Sequence, residues 1–176
     1  MRLREAGPAD TAALLQAHKL AFGQDEESLL VDALLRDPSA QPVLSLLAEE
    51  RGRVVGHALF TSLKLLGPEQ PPVASILAPL AVVPAAQTAG IGRCLIERGC
   101  ELLAQRQVQW LFVLGDPSYY TKRGFTPALP HGFHAPYEIE SEAAWMVRAL
   151  RDGIPGGIQA KVRCADALAP ERYWRE

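Results

Sequence analysis

The sequence predicts one domain of the α/β (α+β) class. Three features carry that expectation. A chain of 176 residues has the length of a single domain. Strand-like segments (Val43–Glu49, Val54–Leu66, Val73–Val83 and Trp110–Leu114) are interrupted by stretches with helical spacing. One of those strands runs through a loop into an amphipathic helix that begins at a pair of glycines, Gly90 and Gly92.

The elements follow in order. Arg2 to Ala6 alternates like a short strand. Asp10 stands where an N-cap belongs, and Leu14, Leu15, His18 and Phe22 recur at helical spacing up to Gly23. A second helix is expected from Asp25 to Arg36, with Leu29, Leu30, Ala33 and Leu34 as its apolar face. Asp25, Glu26 and Glu27 sit at its positive end, and Asp37-Pro38 stops it. Val43–Glu49 and Val54–Leu66 flank the turn Arg51-Gly52-Arg53 and read as a hairpin. Val73–Val83 is almost wholly apolar, which suits a central strand buried on both faces. Pro79 lies within it and cannot donate to a ladder, so a bulge or a loss of pairing is expected there. A long helix from about Gly90 to Arg106 shows the stripe Ile91, Leu95, Gly99, Leu102 and Leu103. Trp110–Leu114 is a buried strand, Ser118–Arg123 a short helix or turn closed by Gly124, and Ala143–Leu150 and Gly157–Cys164 supply further strands.

Composition excludes several classes. Hydrophobic residues are 48% and charged residues 22%, as in an ordinary globular protein, which argues against disorder or collagen-like repeats. A domain this size buries roughly 70% of its unfolded surface and needs no metal or disulfide to hold it. Eighteen basic residues against twenty acidic ones give a net charge of −2, without the basic excess of a nucleic-acid binder. Cys94, Cys100 and Cys164 form no C-x-x-C pair and read as reduced packing residues in a cytoplasmic protein. The longest apolar run, Ala74–Ala86, is too short for a membrane span, and MRLREAGPAD contains no signal-peptide core.

The segment from Leu80 to Arg93 carries the chemistry. The first amides of a helix lack intrahelical acceptors and point out at the positive end of its dipole, an anion site. Without Cβ atoms, Gly90 and Gly92 let a phosphate approach the backbone, and Arg93 adds a cation. A P-loop would need Gly-Lys-Ser/Thr, which is missing, and a dinucleotide fingerprint would need a third glycine near Leu95.

Gln87-Thr88-Ala89-Gly90-Ile91-Gly92 resembles the Gln/Arg-x-x-Gly-x-Gly/Ala motif of the GNAT superfamily of N-acetyltransferases. Gly115-Asp116-Pro117-Ser118-Tyr119-Tyr120-Thr121-Lys122-Arg123-Gly124-Phe125 then resembles the Tyr-x-x-x-Gly-Phe signature of small bacterial members. The element order fits that family along the whole chain. The resemblance implies one N-acetyltransferase domain over 1–176, a mixed sheet of about six to seven strands with about four helices, and a splay at the strand before the Gly-rich loop. It implies that Gln87, Thr88, Ala89, Gly90, Ile91, Gly92 and Arg93 hold the pyrophosphate of acetyl-CoA, and that the backbone of Leu80, Ala81 and Val82 pairs with the pantetheine arm. It also implies that Tyr120 is the acid at the departing sulfur, with the adjacent Tyr119 as rival and cofactor contact. A phenol with pKa near 10 stays protonated at neutral pH and can donate to that sulfur. A backbone N–H of Leu80 or Ala81 would stabilise the carbonyl oxygen.

No acid occupies Val73–Val83, so that strand offers no side-chain base and a water chain takes its place. Glu26, Glu27, His57, Asp116, His131 and His134 are the residues available to polarise it, although a first-turn, half-buried-strand or loop role suffices for each. Lys122 and Arg123 are either a solvated turn or contacts to the 3′-phosphate. Phe133, Trp145 and Trp174 read as packing, and the loop Pro127–Pro136 as the element that borders the acceptor. The expected reaction is direct acetyl transfer to a primary amine, a small molecule or a peptide, in a ternary complex without a metal. Dimers are common in that family, which leaves a homodimer open. Two other readings stand beside this one: a non-catalytic acyl-CoA-binding module, and a different nucleotide- or phosphate-binding protein using the same helix start.

Overall fold

The computed structural model describes residues 1–175. Its strands are β1 (Arg2–Glu5), β2 (Leu44–Glu50), β3 (Arg53–Leu66), β4 (Ala74–Val82), β5 (Trp110–Leu114), β6 (Thr126–Pro127), β7 (Phe133–His134), β8 (Trp145–Ala149) and β9 (Ala160–Cys164). The helices are α1 (Thr11–Phe22), α2 (Glu26–Arg36), α3 (Ile91–Gln105) and the single turn α4 (Pro117–Tyr120). One open mixed sheet has the order β1-β2-β3-β4-β5-β8-β6. β9 pairs with the far end of β3, from Leu63 to Leu66, and β7 runs parallel to β9. The two shortest strands, β6 and β7, fall inside the segment Pro127–Pro136 and its border, so that segment is more ordered than a plain loop.

Alternation along the strands divides the apolar residues between two faces. Leu59, Leu63, Phe112 and Trp145 pack with Leu30, Val31 and Leu34 of α2. Ala58, Phe60, Leu77 and Leu111 pack with Leu95, Ile96 and Leu103 of α3 on the other side. The stripe of α3 is as expected. The faces of α1 and α2 are turned from their expected positions. α1 buries Leu14, Ala17 and His18 but leaves Phe22 41% exposed, and α2 buries Ser28, Leu30, Val31 and Leu34 while Leu29 is 65% exposed. The α1–α2 corner leaves those two side chains outside the packed interface.

Asp10 precedes α1, yet its side chain does not cap it. Its carboxylate reaches back to the Gly7 amide at 2.7 Å and takes both Arg4 Nη atoms at 2.8 Å. The Arg4 guanidinium, with the Gly7 amide, holds the carboxyl well below the usual carboxylate range.

Gly99 marks the closest approach of α3 to the sheet. A Cβ there would overlap the ring of the fully buried Phe60. Gly99→Ala gains helix propensity of about 1 kcal/mol but overpacks a filled core at a cost of about 1–3 kcal/mol. We expect a lower urea midpoint with an unchanged m-value.

Candidate active site

β4 holds the key to the site because it has different partners along its length. It pairs in parallel with β5 only from Ala74 to Ile76, opposite Trp110 to Phe112. β5 continues to Leu114 against β8, and β4 continues to Val82 against β3. The two strands therefore part beyond Ile76. The irregularity lies where Pro79 predicts it: the Ala78–Pro79 bond is cis, and the β3–β4 register shifts between Ala58 and Phe60, with Ala58 opposite Leu80 and Phe60 opposite Leu77. Leu59 of β3 thus faces both Ala78 and Pro79 of β4, a bulge on β4.

The backbone beyond the bulge has a defined orientation. The Val83 amide donates to Val55 O at 2.9 Å, so Val83 faces β3. Alternation turns Ala81 the same way and leaves the amides and carbonyls of Leu80 and Val82 toward the opening. Ala81, grouped with them from the sequence, is directed at β3 instead. The opening is a cleft of about 550 Å³ between Leu77, Pro79 and Leu80 on one limb and Val113, Leu114 and Gly115 on the other. Tyr120 lies against it.

After β4 the chain turns through a 3-10 segment, Pro84–Ala86, into the glycine pair. Gln87 Nε2 donates to Val82 O at 3.1 Å and folds the loop onto the strand end. Thr88 and Gly90 both have left-handed backbones, φ 71° and 78°. Glycine accommodates that geometry at Gly90, whereas Thr88 carries the strain of a β-branched residue. The first α-type bond of α3 runs from the Cys94 amide to Gly90 O, so the amides of Ile91, Gly92 and Arg93 stand at the free end of the helix. Gln87 to Gly90 and Arg93 are exposed, and Gly92 is buried beneath Tyr119. A Cβ on Gly92 would lie 2.5 Å from the Tyr119 hydroxyl.

The adjacent tyrosines point to different places. Tyr119 leans on the first turn of α3, and the Arg123 guanidinium stacks on its ring at 4.6 Å. Tyr120 packs against Gly115 and the Phe125 ring, at the inner end of the β4–β5 opening. Asp116 sets this turn by accepting from the Ser118 amide and hydroxyl at 2.8 Å, and Gly124 closes it with φ 83°. Burial, then the neighbouring Tyr119, raises the Tyr120 phenol above its ordinary value, so the hydroxyl stays protonated.

The comparisons with known proteins agree with this geometry. Residues 11–125 match the model of the Acetyltransferase (GNAT) family. The chain belongs to the GNAT family. It is 43% identical over 161 residues to a protein of Escherichia coli K12 named "Uncharacterized N-acetyltransferase YjhQ", spanning 90% of this chain and 88% of that one. The crystal structure of the GNAT family N-acetyltransferase YhbS from Escherichia coli, in complex with CoA, superposes with a TM-score of 0.87 at 26% identity, over 96% of this chain and 92% of that one. A GNAT acetyltransferase from Brucella melitensis, in complex with acetyl-CoA, gives a TM-score of 0.75 at 30% identity, over 95% and 97%.

The remaining residues of this GNAT chain sort by position. Glu26, Glu27 and Asp116 line the cleft with Tyr120. His57 does not line it. Expected to be half-buried, it is fully buried, bonded to His18 Nε2 and Ser45 Oγ at 2.8 Å each. His131 and His134 lie elsewhere, the first 3.1 Å from Thr126 Oγ1 and the second 3.1 Å from Gln159 Oε1. Lys122 is exposed, while Arg123 is partly buried against Tyr119. Phe133, Trp145 and Trp174 are packing residues as expected, in a run of aromatic contacts through Phe112. Cys100 and Cys164 are buried, which pushes each thiol up to about 11.

The loop Pro127–Pro136 does not border this cleft. Leu129, His134, Ala135 and Pro136 line a separate depression with Glu138, Glu140 and Lys161. The outer wall is instead the C-terminal segment, where Leu168, Arg172, Tyr173 and Arg175 meet the α1–α2 corner. Sequence reasoning passed over that strap. The available signal was Trp174, an aromatic anchor in a polar tail. Among the described residues, no helix is long and apolar enough to cross a membrane, and no group of three or more His, Cys, Asp or Glu is arranged for a metal.

Proposed function

We propose that this protein is an acetyl-CoA-dependent N-acetyltransferase acting on a primary amine by direct attack in a ternary complex, with 1–176 forming one catalytic domain. The observation that carries the reading is the parting of β4 from β5 with Tyr120 at its inner end, together with the free amides of α3 that follow β4 after a short loop. The amide and carbonyl of Leu80 and the amide of Val82, turned away from β3, are offered to an extended pantetheine arm as an added strand would use them, while the Val82 carbonyl is taken by Gln87 Nε2. The loop from Gln87 through Thr88 and Ala89 to Gly90, with the amides of Ile91, Gly92 and Arg93, takes the pyrophosphate. Tyr119 and Arg123 flank that helix start.

The chemistry follows from the placement. The amine nitrogen attacks the thioester carbonyl, whose oxygen becomes anionic. The outward Leu80 amide is the backbone donor for it. The C–S bond then breaks, and Tyr120 donates its hydroxyl hydrogen bond to the sulfur. Glu26, Glu27 and Asp116 polarise water in the cleft, and the proton lost by the ammonium leaves through it. The Escherichia coli and Brucella relatives bound to CoA and acetyl-CoA support the choice of cofactor.

Acetyl-CoA at millimolar concentration should raise the melting temperature by several degrees, whereas ATP and NAD should not. Thiol release with a panel of amines then separates a transferase from a binding module. No stabilisation by acetyl-CoA would remove both CoA readings.

A further inference from the structure

The cleft beside Tyr120 holds charges of both signs, and their arrangement restricts the acceptor. Glu26 and Glu27 stand on the α1–α2 corner, and Arg172 and Arg175 face them from the C-terminal strap. An amine arrives as an ammonium, which the glutamates attract and the guanidinium groups repel. Two arginines suit such a site when the acceptor brings its own anion. Nothing from Gln87 to Arg93 lines this cleft, so these arginines are apart from the helix start assigned to the cofactor phosphates.

Arg172 is held in a receptive position. Its guanidinium lies 4.6 Å over the Tyr173 ring, and Nη2 donates to the Tyr173 hydroxyl at 3.0 Å. Among the described residues the nearest carboxylate, Glu26, is 3.7 Å from Nε, an ion-pair distance beyond hydrogen-bond length. Both side chains are about half exposed, at 60% and 46%, so solvent weakens the pair and an incoming carboxylate or phosphate competes for the fork. The strap is anchored on either side of Arg172. The Asp166 amide donates to Ser39 Oγ and the Ala167 amide to Asp37 Oδ2, each at 2.8 Å, and Trp174 Nε1 donates to Leu168 O at 2.9 Å.

We propose that the acceptor is a small amine that also bears an anionic group, carboxylate or phosphate, and that Arg172 reads that group and sets specificity. The inference rests on the acetyltransferase reading above. The acceptor nitrogen forms the amide bond as the thioester C–S bond breaks, the departing sulfur ends with the proton the nitrogen loses, and the anion takes no part in bond making.

Thiol release from acetyl-CoA is measured with matched acceptors: α-amino acids against their amides, phosphoethanolamine against ethanolamine, and the diamines putrescine and cadaverine. At least one anionic amine should exceed its neutral partner about tenfold or more in kcat/KM. Arg172→Gln should bring that ratio to about one, chiefly through KM, and Arg172→Lys should restore part of it. The first two pairs distinguish carboxylate from phosphate. Preference for neutral amines or diamines would overturn the inference. So would an Arg172→Gln variant that slows both members of a pair equally, or a protein stabilised by acetyl-CoA that accepts no anionic amine. Loss of acetyl-CoA stabilisation, by contrast, would remove the acetyltransferase reading itself.

Discussion

Replacing Tyr120 by phenylalanine is expected to lower kcat for acetyl transfer by about 10²–10³-fold, the range for a lost proton or hydrogen-bond donor in a transition state. The reason lies in the leaving group. A thiolate of pKa about 8.5 departs from the tetrahedral intermediate more readily if its charge is met by a donor as it forms. Tyr120 stands at the inner end of the β4–β5 opening, fixed by Gly115 and Phe125, and burial raises its phenol so that the donor persists at alkaline pH. Two further results follow. The rate should rise with pH as the acceptor ammonium deprotonates, with no descending limb below about pH 10, the ordinary phenol value. The Tyr120→Phe variant should still be stabilised by acetyl-CoA, because the lost hydroxyl serves the transition state more than the ground state. Tyr119→Phe is the control. Its hydroxyl sits over Gly92 at the start of α3, so kcat should change little. Equal losses in both variants would remove the assignment of Tyr120 as the donor.

The parts of this fold legible in the sequence are those set by local rules. Apolar runs and the turn at Arg51-Gly52-Arg53 located β2 to β5, and the glycine at Gly90 marked the start of α3 because its left-handed backbone suits no side chain well. Pro79 marked the bulge that lets β4 leave β5, since a residue without an amide hydrogen cannot continue a ladder. What stayed hidden depends on contacts between distant segments. The outward face of α2 was misplaced by Leu29, whose apolarity says nothing about which neighbours reach it. Asp10 looked like a cap, but Arg4 on β1 draws its carboxylate away. The loop Pro127–Pro136 was expected to border the acceptor, whereas it lines a separate depression and Asp37 and Trp174 bring the C-terminal strap to the cleft beside Tyr120. His57 was taken for a half-buried strand residue because nothing local reveals that α1 places a second histidine on it.

That pair gives the second large effect, a loss of stability in mild acid. His18 Nε2 and His57 Nδ1 are 2.8 Å apart, His57 Nε2 is 2.8 Å from Ser45 Oγ, and both imidazoles are fully buried between α1 and β3. With both rings neutral, one nitrogen of the His18–His57 contact donates and the other accepts, while His18 Nδ1 is buried without a hydrogen-bond partner among the described residues. Burial pushes His18 down to about 4, and burial followed by repulsion from His18 pushes His57 down to about 3. In the unfolded chain each titrates near 6.5. Above that value neither state binds the protons and the native state keeps its full margin. As pH falls below it, the unfolded chain takes up two protons that the native state refuses, so stability declines toward pH 4. Between pH 7 and 5 the loss is on the order of 3 kcal/mol, a large fraction of a typical folding free energy. The carboxylates of Asp10 and Asp37, whose pKa values are lowered, lose their protection only below about pH 4, the ordinary carboxylate value, so they do not share this window. Urea unfolding at pH 7 and pH 5 measures the effect, and the double variant His18→Leu/His57→Phe should flatten the pH dependence whatever its absolute stability. A midpoint that does not move for the natural protein, or a slope retained in the variant, would rule the mechanism out. The consequence reaches the cleft. His57 pairs in register with Ala81 on β4, and Phe22, stacked on His18 at 6.1 Å, lines the cleft beside Leu80. Protonation that loosens α1 from the sheet therefore disturbs the cleft beside Tyr120, and activity should decline reversibly in the same acid range as the urea midpoint.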